Sequence, residues 1–397
     1  IIIIIISSLK GNNQEDIEKF EGEPLGEILC RYDISSKNEL IPILGNDFTK
    51  SSVFKMLING EYFKYSKELK FNNTGYTDIS FILYENIVMD SMFKDIDSLI
   101  KIEIKSKEGK NLIVKSLKST FENCKNLESL TFSKVDTSPV TSMYKFLFNT
   151  RLVNFDFTGI NTENVKDMSY IFAESTLLES INFSSETFKT NKVTNMTHMF
   201  SDCYSIRRLD LSHLATDNVI DMSYMFFHCE SLIELNLQNF ETSKVQDMSH
   251  MFEECILLQT IENKFDTSEV TDMSFMFSEC NFLSILDVSQ FYPEKVTNRA
   301  YMFSFCRNLD ELETSNFDTA LVTNMSHLFY YLPEIDSFNT TNFDTSNVED
   351  MSFMFYGCSN AYEIILSNFK TSKVKYFTSM FEAGSSLKSI NVTHFDT

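Results

Sequence analysis

Three kinds of side chain recur in this sequence at spacings that could bring them into register and let them do chemistry. Cys203, Cys229, Cys255, Cys280 and Cys306 follow one another at 25 or 26 residues, and Cys124 and Cys358 belong to the same series. Thiols stacked in this way could bridge neighbouring chain segments or bind a metal as thiolates. The C-x-x-C pairing of a structural zinc site is missing, and a run of five leaves one thiol over. The simpler reading is a ladder of buried free thiols, each acting as a small hydrophobe. Cys30 stands outside the series.

A second series reads Asn182, Asp210, Asn236, Glu262, Asp287, Glu313, Asn339. Three carboxylates in succession, Glu262, Asp287 and Glu313, repel one another. A hard cation such as Ca²⁺ would relieve them, since it takes several oxygen ligands. The simpler reading is a solvated polar face, and that face is where a partner is first sought. A third series holds His198, His250 and His327 together with Tyr170, Tyr224, Phe275, Tyr301 and Phe353. With about 4.8 Å between stacked segments, its histidines lie roughly 10 Å or more apart, too far to ligate one metal. It reads as an exposed aromatic ridge for contact with a partner. No acid, base and nucleophile converge anywhere, so the sequence points to neither an enzyme nor a bound cofactor.

What must position these series is a repeat. Val114, Val140, Val165, Val193, Val219, Val245, Val270, Val296, Val322, Val348 and Val374 open eleven copies of one phrase, and Met89, Met92 and Phe93 mark a worn twelfth. A fixed period of this length signals a solenoid. Counting from the valine, Met at +3 and Met-Phe at +6 and +7 fit helical spacing, as in Met248, Met251 and Phe252. Asp or Asn stands before the first Met, as at Asp221, Asp247, Asp272 and Asn324, and both are favoured N-caps. Each repeat is therefore expected to carry a helix of about two turns. The following L-x-x-L-x-L, as at Leu232, Leu235 and Leu237, alternates by two and predicts a short strand pairing in parallel with its copies. The expected fold is an α/β solenoid of leucine-rich repeats of about 26 residues, a short helix plus a parallel β-strand in each. A small β-rich N-terminal domain precedes it, with a hairpin at Asn59-Gly60. The boundaries read as an N-terminal strand and linker over 1–24, a β-rich capping domain over 25–85, and the solenoid over 86–397.

The phrase F-D-T-S-x-V-x-D-M-S-x-M-F-x-x-C-x-x-L is nearly verbatim from Phe265 and again from Phe343. It resembles the BspA-type leucine-rich repeats of microbial surface proteins, over about residues 110–397. The resemblance implies a secreted or surface-attached protein used in adhesion, host contact or matrix. It implies no particular ligand. Arg299 and Phe377 in place of Met, and Leu332 in place of Cys, depart from the pattern and are expected to make their rungs irregular.

Net charge is −22 with no Lys/Arg-rich run, which argues against nucleic-acid and anionic-membrane partners. No apolar stretch reaches the ~18 residues that would span a bilayer. Asn72, Asn182, Asn339 and Asn391 head N-x-S/T sequons that could carry glycans if the chain is secreted. Ile1, Ile2, Ile3, Ile4, Ile5 and Ile6 read either as the tail of a secretory signal or as a β-prone segment able to add to another chain's edge. At the far end, the last rung around Phe395 reads as uncapped. A sticky head and an open tail together would give head-to-tail filaments. The leading expectation is thus a non-catalytic, extracellular or cell-surface component that assembles with itself. The alternative is a monomeric adhesin or receptor ectodomain that binds a surface protein or glycan through its solenoid face.

Overall fold

A computed structural model describes residues 22–49, 54–261, 265–289, 291, 294–314, 317–393 and 395. Ile1 to Ile6 and Glu262 lie outside the described residues. The chain divides into two compact units, Ile1–Lys192 and Val193–Thr397.

The first unit opens with β1 (Gly26–Ile34), β2 (Leu40–Pro42), β3 (Phe54–Ile58), β4 (Glu61–Phe63), β5 (Glu68–Lys70), β6 (Gly75–Leu83) and β7 (Ile87–Val88). It continues with β8 (Leu99–Ser106), β9 (Val114–Ser116), β10 (Ser129–Ser133), β11 (Asn154–Asp156) and β12 (Ser180–Asn182). One sheet has the order β10-β8-β1-β6-β3-β4. It includes β8 and β10, strands that belong to the repeat region. Along β1, Ile28, Cys30, Tyr32 and Ile34 face inward and are wholly buried. β3 and β4 form the hairpin at Asn59-Gly60, where both residues have positive φ (49° and 84°) as a type I′ turn requires. The second unit contributes β13 (Arg208–Asp210), β14 (Glu234–Asn236), β15 (Ile285–Asp287), β16 (Glu311–Glu313), β17 (Ser337–Phe338) and β18 (Glu363–Ile364).

Both units carry solenoid turns of about 26 residues. The expected helix is absent: no helix forms among the described residues. In its place every rung has two residues in the left-handed region, at +5 and +9 from the valine. His250 (φ 59°) and Glu254 (φ 57°) are one pair, and Tyr301 (φ 60°) and Phe305 (φ 58°) another. The worn rung at Met89 has the same pair in Ser91 (φ 55°) and Asp95 (φ 62°). A helix needs consecutive right-handed residues, so two reversals within five residues rule it out.

The backbone accounting shows what replaces it. From the Val245 rung, Met248, His250, Phe252 and Glu254 donate their N–H groups to Asp272, Ser274, Met276 and Ser278 of the next rung at 2.9–3.1 Å. Met251, Glu253 and Cys255 donate back three residues within their own rung, to Met248, His250 and Phe252. The remaining N–H, on Ser249, goes to the Asp247 carboxylate at 2.8 Å. Odd positions thus bond across rungs while even positions close overlapping turns. The expected N-caps are corrected accordingly: Asp221, Asp247, Asp272 and Asp350 accept from the N–H two residues on, as a cap would, but they open turns. Each left-handed residue costs about 1–2 kcal/mol. Against this, each rung buries Val, Met, Phe and Leu at about 1.5–3 kcal/mol apiece, so the core outweighs the strain.

Within the second unit that core contains a column of phenylalanines: Phe200, Phe226, Phe252, Phe277, Phe303, Phe329, Phe355 and Phe381. Successive ring centroids are 5.4–6.0 Å apart. A buried threonine from the F-D-T phrase ties the return turns together. The Thr216 hydroxyl donates to the Glu241 carbonyl at 2.9 Å and accepts the Glu241 N–H at 2.7 Å. Thr345 does the same with Lys370. The strands are less continuous. Among the described residues they pair in parallel in twos, β11-β12, β13-β14, β15-β16 and β17-β18, each strand two or three residues long.

Candidate functional site

Two surfaces of the second unit hold the residues singled out above. On the turn surface, the left-handed +5 residues put their rings one above another. His198, Tyr224, His250, Phe275, Tyr301, His327 and Phe353 stack with centroids 4.0–4.7 Å apart and planes within 18°. They are half-buried, which corrects the expectation of an exposed ridge: each ring covers its neighbours' faces and offers solvent an edge. Burial pushes the His198 imidazole down to about 4 against the pull of Asp202 and Asp221, and it lowers His327 as well. Tyr170 belongs to the first unit, where it packs with Tyr144 and Lys145.

The +9 positions form a second column that sequence reasoning passed over. Nδ1 of His228 lies 3.0 Å from Asp202, and its Nε2 lies 2.7 Å from Glu254. A neutral imidazole has one N–H and cannot donate to both carboxylates, so this geometry calls for imidazolium. Burial would lower the His228 pKa, but hydrogen bonds to Glu254 and Asp202 outweigh it and hold the group above its ordinary value. Glu279, next in the column, is raised by burial and by repulsion from Glu254 and Glu253. The signal was present in the sequence as Asp202, His228, Glu254 and Glu279 at one repeat position. Each looks like an ordinary surface charge until the repeats are aligned at that position.

On the strand surface the predicted polar column is exposed and regular. Asp210, Asn236 and Asp287 close β13, β14 and β15, Asn339 directly follows β17, and all four accept the N–H two residues on. Asp287 and Glu313 are register partners on β15 and β16. Their third companion, Glu262, is outside the described residues. Among the described residues no group of three or more His, Cys, Asp or Glu is arranged to hold a metal ion. Two shallow grooves mark this surface. One, of about 550 Å³, lies along β13 and β14; the other, of about 340 Å³, lies between β16 and β17.

All eight cysteines are free and buried. In the ladder the thiols of Cys124, Cys229, Cys255, Cys280, Cys306 and Cys358 each donate to the carbonyl of the preceding rung's phenylalanine, as Cys255 does to Phe226 at 3.2 Å. Burial raises the thiols of Cys124, Cys229, Cys255, Cys280, Cys306 and Cys358, the last two to about 12, so they stay protonated and are poor metal ligands. Arg299 takes the place of a core methionine and is wholly buried. Its guanidinium lies 3.8 Å from the Phe317 ring and donates to the Asp318 carbonyl, and burial lowers it to about 9. The rung around it nonetheless keeps its cross-rung bonds from Arg299 and Tyr301, contrary to the irregularity expected there. Leu332 is likewise accommodated in the core, whereas Phe377 is 36% exposed. Among the sequons, Asn182, Asn339 and Asn391 are exposed and Asn72 is half-buried. Thr341 and Thr393 hydroxyls hold the Oδ1 atoms of Asn339 and Asn391 at 2.7 and 2.8 Å. Phe395 stacks on Phe369 and Phe377.

The repeats match the family described as "Mycoplasma protein of unknown function, DUF285" in five overlapping segments, residues 87–183, 115–234, 176–282, 220–341 and 333–397. The chain belongs to this family. No curated protein matches the DUF285 chain. Among solved structures it is similar to a chain of the TLR13–ssRNA13 complex, at 12% identity and a TM-score of 0.27, covering 77% of this chain and 57% of that one. It is also similar to a chain of the Toll–Spatzle complex, a molecular hub in Drosophila development and innate immunity, at 12% identity and a TM-score of 0.25. There the coverage is 75% of this chain and 50% of the other. The DUF285 chain thus spans little more than half the length of the structures it matches. Among the described residues no helix is long and apolar enough to cross a membrane.

Proposed function

We propose that this DUF285 chain is a non-catalytic, protein-binding solenoid that engages its partner through the strand surface of residues 193–397. The observation that supports this most is the surface itself. Asp210, Glu234, Asp287, Glu311, Glu313 and Glu363 all face solvent from β13 to β18, beside two shallow grooves. The turn ladder and the phenylalanine column carry the core and most cross-rung bonds, and these carboxylates keep exposed edges even where Glu234 pairs with Arg208 and Asp210 and Asp287 accept nearby N–H groups. Polar, charged and grooved surfaces of this kind suit specific protein contact through electrostatic complementarity. The BspA-like phrase supports placing such contact at a cell surface or outside the cell, with the exposed sequons as candidate glycan sites.

A photo-crosslinking side chain at position 287, compared with one at position 301 on the turn surface, tests the reading in the protein's native source. Adducts from position 287 are expected. Adducts from position 301 alone would sink it. A second reading is head-to-tail self-assembly into filaments. Supporting it is an apolar cleft of about 580 Å³ lined by Val374, Phe377, Met380, Phe381, Val392 and Phe395. Ile1 to Ile6, the other half of the expected joint, lie outside the described residues. Electron microscopy separates the two: regular filaments support assembly, whereas discrete particles at high concentration reject it.

A further inference from the structure

We propose that Arg299 is a substitute tie between two rungs, its guanidinium standing in for a threonine hydroxyl that the repeat lacks at Pro293. This role is independent of the strand-surface reading. In the F-D-T phrase a threonine hydroxyl donates to the carbonyl just before the next rung's threonine: Thr242 to Asp266, Thr319 to Asp344 and Thr345 to Lys370, all at 2.9 Å. The phrase reads Phe265-Asp266-Thr267, then Phe291-Tyr292-Pro293, then Phe317-Asp318-Thr319. The hydroxyl due to the Asp318 carbonyl would thus come from position 293. Pro293 lies outside the described residues, but proline carries no hydroxyl in any conformation.

Arg299 supplies that donor. It stands at +3 of the rung that Pro293 leads into, where other rungs place the wholly buried Met248, Met273, Met325 and Met351. From there its Nη2 donates to the Asp318 carbonyl, and its guanidinium carbon lies 3.8 Å from the centre of the Phe317 ring. A guanidinium can lie on a ring and still donate in its own plane, which neither methionine nor lysine can do. The substitution carries a cost. The cation is wholly buried, and Nε and Nη1 have no hydrogen-bond partner among the described residues. An uncompensated buried charge strongly destabilises a core, so methionine would serve better at position 299 if nothing had to reach Asp318. Pro293 and Arg299, two departures from the repeat close together in the chain, are therefore one compensated change.

The test is a double-mutant cycle on the full chain, read as thermal midpoints. Pro293→Thr restores the hydroxyl, and Arg299→Met restores the apolar core residue. Arg299→Met leaves the Asp318 carbonyl without its donor only while position 293 has no hydroxyl. The double variant is therefore expected to lie about 3 °C or more above the sum of the two single shifts. Pro293→Ala removes the ring without supplying a hydroxyl, and its cycle with Arg299→Met should be additive within about 1 °C. Additive shifts in the threonine cycle would overturn the tie. Equal coupling in the alanine cycle would overturn it too, by tracing the effect to the proline ring. Should Arg299→Met alone fail to fold, recovery of a folded chain by Pro293→Thr and not by Pro293→Ala is the expected result. Failure with both, or recovery with both, rejects the tie.

Discussion

The turn surface and the strand surface of the second unit are built from the same repeats, yet they bear structure differently. From the Val193 rung to the Val348 rung, every rung gives four N–H groups at +3, +5, +7 and +9 to the next, without a gap. Among the described residues the strands pair only in twos, and the rungs of β16 and β17 are joined by a side-chain bond from Thr314 to the Asn339 carbonyl. The cohesion of the repeats thus resides in the turns and the core behind them. The strand surface, relieved of that task, can vary in charge and even open a groove. In an ordinary leucine-rich repeat read from pattern alone, the opposite division of labour is expected.

The largest effect should come from the core behind the turns. Phe252→Ala removes a buried ring from between Phe226 and Phe277 and should cost about 3–5 kcal/mol by urea denaturation. Leu235→Ala, on half-exposed β14, should cost less than half of that. Equal costs would break the comparison. Thr216→Val comes next. It strips both the acceptor and the donor used by the Glu241 backbone, and about 1–3 kcal/mol should be lost.

A smaller effect separates the two turn columns by pH. The raised His228 pKa means that its contribution is full below the ordinary histidine value of about 6.5 and is lost as pH rises through the folded-state value. His198, lowered to about 4, acts in the opposite sense: its contribution is present above about 6.5 and is lost as pH falls towards 4. Thermal midpoints of His228→Gln should therefore lose the decline on the alkaline side, by about 1 kcal/mol or less, and keep the one on the acidic side. A profile identical to the parent's would show that the Asp202–His228–Glu254 contact contributes nothing.

The smallest effect is stabilising. Asp247 is raised by burial, despite its bonds from Ser249 and with repulsion from Asp221 and Asp272 adding to it, so ionisation near neutral pH weakens the fold. Asp247→Asn should recover about 0.5 kcal/mol at neutral pH. Asn298 already shows the replacement at this position, where its side chain donates to Asp272 at 3.1 Å. A lower thermal midpoint would contradict the repulsion.

Much of this architecture is legible in the residues, and the illegible part has a physical cause. The period, the inward Val, Met, Phe, Cys and Leu, and the short parallel strands follow from spacing alone. Apolar positions at +3, +6, +7 and +10 fit a helix, but they fit a chain of three-residue turns equally well. The residues that decide between them, at +5 and +9, adopt positive φ without the glycine that usually announces it; Gly357 alone among these positions in the second unit does so. Asp or Asn at +2 strengthened the wrong choice, because one carboxylate geometry serves both a helix start and a turn. On the surface, the Asp287 and Glu313 column was legible from alternation. The His228 contact shows only when the rungs are aligned at +9, because Asp202, His228 and Glu254 each look like an ordinary surface charge within their own rung.

The cross-rung bonds at the four odd positions also share a direction. From Met196 through Gly357, each donor belongs to the earlier rung and each acceptor to the later. In a parallel sheet neighbouring peptide dipoles largely cancel. Here those along the turn surface add, much as they do along a helix axis. The turn surface from Met196 to Gly357 therefore has a net electrical polarity along the direction of stacking, opposed only in part by the single N–H at +1 that each rung returns to the one before, as from Gln246 to Ile220. Any segment that extends this ladder can join it in one orientation only.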